Sequence, residues 1–131
     1  MVPKVHILAS IPPFLLLYYF YGNLSLVFIL GSILIDIDHI LWYFLRHKSL
    51  NLRKAYQYHR PGGSNEKDIL HIFHTIESWV LFLFLSFFHK FLLFLFLGMT
   101  FHLIMDVYDM YKYHYSDIRA ISLLRWIKRH I

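Results

Sequence analysis

Four apolar stretches, at about residues 5–21, 24–45, 69–88 and 91–111, take up most of this chain. Each is close to the roughly 20 residues that carry an α-helix across a hydrocarbon core. For 131 residues the expected architecture is one all-α membrane domain, a bundle of about four transmembrane helices. Composition points the same way. The chain is 58% hydrophobic with 13 Phe and 10 Tyr, more apolar surface than a soluble domain of this length readily buries. Pro12-Pro13 should kink the first stretch or make it partly re-entrant. Gly22-Asn23 and His89-Lys90 are natural turns, each closing a helical hairpin. The first stretch begins like a signal peptide, but Tyr18-Tyr19-Phe20-Tyr21 replaces the small residues a signal peptidase needs, so it should be retained.

The charge balance of +5 sits in clusters. The loop 46–68 holds Arg46, Lys48, Arg53, Lys54, Arg60 and Lys67, with a turn at Pro61-Gly62-Gly63. In the tail 116–131, Ile118, Ile121, Leu124 and Ile131 recur at helical spacing beside Arg119, Arg125, Lys128 and Arg129. That pattern predicts a basic amphipathic helix lying on anionic membrane lipids. With four spans, Lys4, the basic loop and the tail share one side, and the positive-inside rule puts both termini in the cytoplasm. Membrane anchoring accounts for the basic clusters, so no nucleic-acid partner is expected. There is no cysteine, so any metal must be held by nitrogen and oxygen.

Ionisable groups inside apolar spans are costly and usually mark a functional interior. His6 opens the first span, and Asp36, Asp38 and His39 lie in the second. His71, His74 and Glu77 begin the third, while His102, Asp106 and Asp109 lie in the second half of the fourth. Steps of three and four place Asp36 with His39, His71 with His74 and Glu77, and His102 with Asp106 and Asp109 on shared helix faces. Depth is the stronger test. At ~1.5 Å per residue, Asp36 and His39 lie roughly 15 and 10 Å inside Arg46. His74 and Glu77 are roughly 9 and 13 Å from Asp68, and Asp106 and His102 roughly 9 and 15 Å from Lys112. Three helices thus bring carboxylates and imidazoles to one level in the cytoplasmic half of the membrane. Any one of these histidines alone could simply bond a backbone carbonyl, and Asp–His pairing could serve as structural glue. The joint pattern favours a metal.

Imidazole and carboxylate together suit zinc first, then manganese or iron, and the number of ligands allows one or two ions. Asp36, His39, His74, His102 and Asp106 are the foremost ligands, with His6 and His71 also in reach. Glu77 could act as general base, and Asp38, two residues from Asp36, should orient a ligand or take part in catalysis. Arg53 and Arg60, at the cytoplasmic mouth, could hold an anionic headgroup. His47, His59, His89, His114 and His130 lie in loops or near span ends, where solvated histidine is the default.

Gly31-Ser32-Ile33-Leu34-Ile35-Asp36-Ile37-Asp38-His39, the paired His71 and His74 with Thr75, and His102-Leu103-Ile104-Met105-Asp106 resemble motifs of the small membrane-bound metal-dependent hydrolases of the LexA-regulated inner-membrane type. The resemblance implies that His6, Asp36, Asp38, His39, His74, His102 and Asp106 are metal or active-site positions. Ile35 stands where that family carries proline, and the Arg-Gly of its histidine block is absent. Arg53 with Arg60-Pro61 is also similar to the first motif of phosphatidic-acid-type lipid phosphatases, but no Ser-Gly-His follows and no Ser-Arg precedes His102. The expected function is a membrane-embedded metal-dependent hydrolase acting on a phosphoester or ester of a lipid or other amphiphile, possible as a homo-oligomer. The alternative is a metal-binding or ion-transport protein without catalysis, which with four spans would need oligomerisation.

Overall fold

The computed structural model describes residues 3–59, 68–113 and 119–131, and within them the chain is all-helical. Helix α1 (Pro3–Tyr21) ends at Gly22, whose φ of +56° is the left-handed conformation that closes a helix. A 3-10 turn, Gly22–Ser25, reverses the chain into α2 (Leu26–Leu34), and Ser25 Oγ donates to the Gly22 carbonyl at 2.7 Å. The first two helices therefore form the expected hairpin. Ser10 and Ser32, 22 residues apart, lock it: Ser10 Oγ donates to the His6 carbonyl and accepts from Ser32 Oγ, both at 2.7 Å.

Pro12 and Pro13 do not interrupt α1. They remove the bonds that their N–H groups would have given to the Leu8 and Ala9 carbonyls, yet the remaining backbone bonds and the packing on α2 carry the helix through. The second apolar stretch is not one helix. It breaks at Ile35–Asp36 into α2 and α3 (Ile37–His47), because Asp36 N bonds back to the Ile33 carbonyl at 3.2 Å rather than to Ser32. After α3 the chain turns through Lys48, at φ +49°, into α4 (Leu52–Tyr58), capped by Asn51 and folded back along α3.

The third stretch departs furthest from expectation. Residues 69–71 are extended, with Ile69 in a parallel bridge to Arg119, and a 3-10 turn spans Ile72–His74. Thr75 then caps α5 (Ile76–Ser86) by accepting from Ser78 N. Those 11 residues extend roughly 16 Å, about half a hydrocarbon core. Helix α6 (Lys90–Tyr113) covers the fourth stretch and forms the spine of the bundle. Its closest neighbour is α2, where glycines let the backbones meet: a Cβ on Gly98 would lie 2.0 Å from the Phe28 carbonyl oxygen, and one on Gly31 2.2 Å from that of Leu95.

The tail forms α7 only over Leu123–His130, after extended residues that lie beside the start of α5. Ser122 caps α7, and Glu77 reaches across to its N-terminus, accepting from Ser122 Oγ at 2.6 Å, Leu123 N at 2.9 Å and Leu124 N at 3.2 Å. Arg129 pairs with Asp68, and Trp126 Nε1 donates to the Asp68 carbonyl. The tail is thus strapped to the bundle, while Ile121 and Leu124 stay exposed. Glu77→Ala removes three hydrogen bonds from that junction. Trypsin should then cut after Arg125 and Lys128 several-fold faster; an unchanged rate would show that the cap does not hold α7.

Two helical stretches, Val5–His47 of 43 residues and Lys90–Lys112 of 23, are long and apolar enough to cross a membrane. The first folds back on itself at Gly22.

Candidate metal centre

The break in the second stretch builds the centre. Because Asp36 N bonds to Ile33, the Ser32 carbonyl is spared from the helix ladder. His102, fully buried on α6, donates its Nδ1–H to that carbonyl at 2.7 Å. This fixes its tautomer and leaves a bare lone pair on Nε2. That nitrogen has no hydrogen-bond partner and lies 3.3 Å from Asp36 Oδ1 and 3.7 Å from Asp106 Oδ2. His74, in the 3-10 turn, repeats the arrangement. Its Nδ1–H donates to Asp38 Oδ2 at 3.1 Å, and its unpartnered Nε2 lies 3.8 Å from Asp36 Oδ1 and 3.5 Å from Asp106 Oδ2.

Without a proton on Nε2, each of these imidazoles presents a lone pair to two carboxylates, an arrangement that a metal cation between them would relieve. A tetrahedral metal with bonds of ~2.0–2.1 Å sets its ligands about 3.3–3.4 Å apart. The four separations here, 3.3, 3.5, 3.7 and 3.8 Å, begin at that edge and run wider. Within this cluster His74, His102 and Asp106 form one grouping that could hold a metal ion, and His6, Asp36 and His102 form another. The carboxylate on His74 and the carbonyl on His102 are the outer partners that metal-binding histidines typically have.

Asp38 is buried and makes three bonds. Besides His74, it accepts from Phe73 N at 2.9 Å and, on Oδ1, from His39 Nδ1 at 2.9 Å. His6 contacts the other oxygen of Asp106 at 3.2 Å through Nε2 and stacks on His102 at 3.9 Å. His39 lies between two groupings: with Asp36 and His74 on one side, and with His59 and His71 on the other.

Not every expected residue joins the centre. Glu77 spends its carboxylate on α7, and His71 turns toward His39 and His59 because residue 71 is extended, not helical. The face shared by His71, His74 and Glu77 therefore does not form. Asp109 is buried one turn beyond Asp106. Arg53 is exposed on α4, and Arg60 lies outside the described residues.

Two residues in the site escaped sequence reasoning. Arg119 donates from Nη1 to Asp106 Oδ2 at 2.6 Å, reaching in from the tail expected on the membrane surface. Ser122 with Arg125, a cap and its partner three residues on, was the signal that the helix starts after Arg119. His59, expected in solvent, donates from Nε2 to the His39 carbonyl at 2.7 Å. Burial, with His39 beside it, holds its pKa down to about 4, so it is neutral at physiological pH.

Comparison with family models, curated proteins and solved structures gives no match, so what the chain does has to be argued from its own residues.

Proposed function

We propose that this chain is a membrane-embedded, metal-dependent hydrolase that cleaves a phosphoester or ester of a lipid or other amphiphile. The observation that carries the reading is the pair of unpartnered Nε2 atoms, on His74 and His102, facing Asp36 and Asp106 at 3.3 to 3.8 Å. Two neutral imidazoles and two carboxylates suit zinc best, with manganese or iron as substitutes.

Membrane residence is supported by the two long apolar stretches and by exposed Leu16, Tyr19, Phe20, Phe87 and Phe88, which lipid would cover. In this reading α1, α2–α3 and α6 cross the bilayer and α5 forms a half-length fourth limb. The basic loop, α7 and both termini face the cytoplasm. An apolar cavity of about 270 Å³ supports an amphiphilic substrate. Ile35 and Ile37, on either side of Asp36 in the chain, line it together with Phe73, Leu95 and Met99. An apolar tail placed there sets its polar head beside Asp36, whose side chain is 27% exposed.

A metal held by His74, His102 and Asp106 would supply a Lewis acid for the substrate oxygen and would lower the pKa of a water toward neutrality. The chain supplies the rest. Ser32 and Asp38 fix the tautomers of His102 and His74. Arg119, beside Asp106, offers a guanidinium to an anionic group. Glu77 is engaged at α7 and Asp38 holds two histidines, so with His74, His102 and Asp106 as the metal's protein ligands, Asp36 is the carboxylate left to accept a proton from a water in the fourth position.

Metal analysis of detergent-purified, tag-free protein tests this, with His74→Ala and Asp106→Ala beside the wild type. Even outer partners of a metal are worth ~10–100-fold in affinity, so each variant should lose at least about 100-fold. The wild type should hydrolyse one member of a lipid phosphoester and ester panel, and a chelator should stop it. A correctly folded wild type that holds no zinc, manganese or iron would sink the proposal. Bound metal without turnover would favour a metal carrier or ion-transport protein.

A further inference from the structure

We propose that His39, His59 and His71 form a second cation site, distinct from the centre at Asp36, His74, His102 and Asp106, and that it takes a borderline divalent transition metal such as zinc. One ring nitrogen from each lies within 4.8 Å of the others. The three come from separate parts of the fold: His39 from α3, His59 from the end of α4, and His71 from the extended run before the 3-10 turn. Three elements deliver their imidazoles to one point, although nothing in their spacing requires it.

The chemistry of the nitrogens argues for a cation. His71 is 4% exposed, and neither of its ring nitrogens has a hydrogen-bond partner. A buried imidazole left with no partner is costly, and native structures usually retain one for a reason. The other two rings are already in the tautomer that a ligand needs. His59 donates from Nε2 to the His39 carbonyl, which leaves its lone pair on Nδ1. His39 donates from Nδ1 to Asp38 Oδ1, which leaves its lone pair on Nε2. A backbone carbonyl and a carboxylate thus stand behind two of the three histidines. The set is all imidazole and uncharged, so it suits zinc, copper or nickel and offers little to magnesium or calcium. His39 and His71 stack at 3.8 Å, so loading turns the His71 ring out of the stack. Once bound, the cation ties the end of α4 to the bundle beside the main centre.

The main centre's carboxylates take no part here, so the two sites can be separated. Full-length, tag-free protein in detergent is loaded with zinc, exchanged into metal-free buffer and analysed for bound metal. Wild type should retain about two equivalents, and His59→Ala, His71→Phe and Asp106→Ala about one each. The double variant Asp106→Ala with His59→Ala should retain none. Copper loaded into Asp106→Ala should show nitrogen hyperfine coupling in its paramagnetic resonance spectrum that His59→Ala removes. One equivalent in wild type that survives both histidine substitutions and is lost in Asp106→Ala would overturn the second site and leave the proposed hydrolase standing. One equivalent lost in His59→Ala and kept in Asp106→Ala would do the reverse. His59 is only partly buried, so its variant still decides the question if His71→Phe does not fold.

Discussion

Gly98→Ala should lower the apparent melting temperature in detergent by about 10 °C or more and should abolish metal binding at the centre built on His102. The new Cβ would lie 2.0 Å from the Phe28 carbonyl oxygen and 2.8 Å from Ser32 N. Both are backbone atoms of α2, so no side-chain rotation relieves the clash, and α6 must move away. Overpacking typically costs ~1–3 kcal/mol where side chains can adjust, so a backbone clash belongs at the top of that range or above it. The same movement pulls His102 from the Ser32 carbonyl and from Asp36. Gly22→Ala is the control. It is strained only by its positive φ, with nothing within 4 Å of the new Cβ, and should cost about 1–2 kcal/mol without displacing the metal. If Gly98→Ala is as stable as wild type and still loads metal, α2 and α6 do not meet as described.

Asp38→Asn should weaken metal binding by about 10–100-fold while the protein stays folded. An asparagine keeps one oxygen, enough to accept from Phe73 N and His74 Nδ1 together, but it puts an amide N–H₂ where Oδ1 now accepts from His39. His39 must then move its proton to Nε2 or turn away. Either change shows in the nitrogen NMR shifts of that ring, which report the tautomer directly. The weakened binding comes from His74, which loses a carboxylate partner and becomes a poorer donor to the metal. Unchanged affinity would mean that Asp38 serves folding alone.

The apolar runs made α1, α2 and α6 legible, and the Gly22 turn with them, because length and hydrophobicity dominate where no polar signal competes. Depth alone also brought Asp36, His74, His102 and Asp106 to one level. The failures have local causes. Residues 69–75 are as apolar as a span, but Thr75 caps a helix that starts at Ile76, and the Ile69–Arg119 bridge keeps the preceding residues extended. A step of three between His71 and His74 therefore did not mean a shared face. Arg119 was hidden because Ile118, Ile121 and Leu124 carry a helical period through it, while the true cap is Ser122. The helix breaks beside Ile35 without a proline to signal it.

The parallel bridge between Ile69 and Arg119 ties together segments 50 residues apart, and it bears on how the protein is made. Synthesis proceeds at roughly 5–20 residues per second, so in the membrane reading proposed above His6 and Asp36 would enter the bilayer seconds before Asp106 and its arginine exist. Through that interval Asp36 and Asp38 would stand in an unfinished hairpin without His74 and His102, which later face them. Nascent chains stalled there would be marginally inserted and open to membrane proteases. In that reading each polar group would be stable in lipid only once the others had arrived, and the site would double as a checkpoint on its own biogenesis.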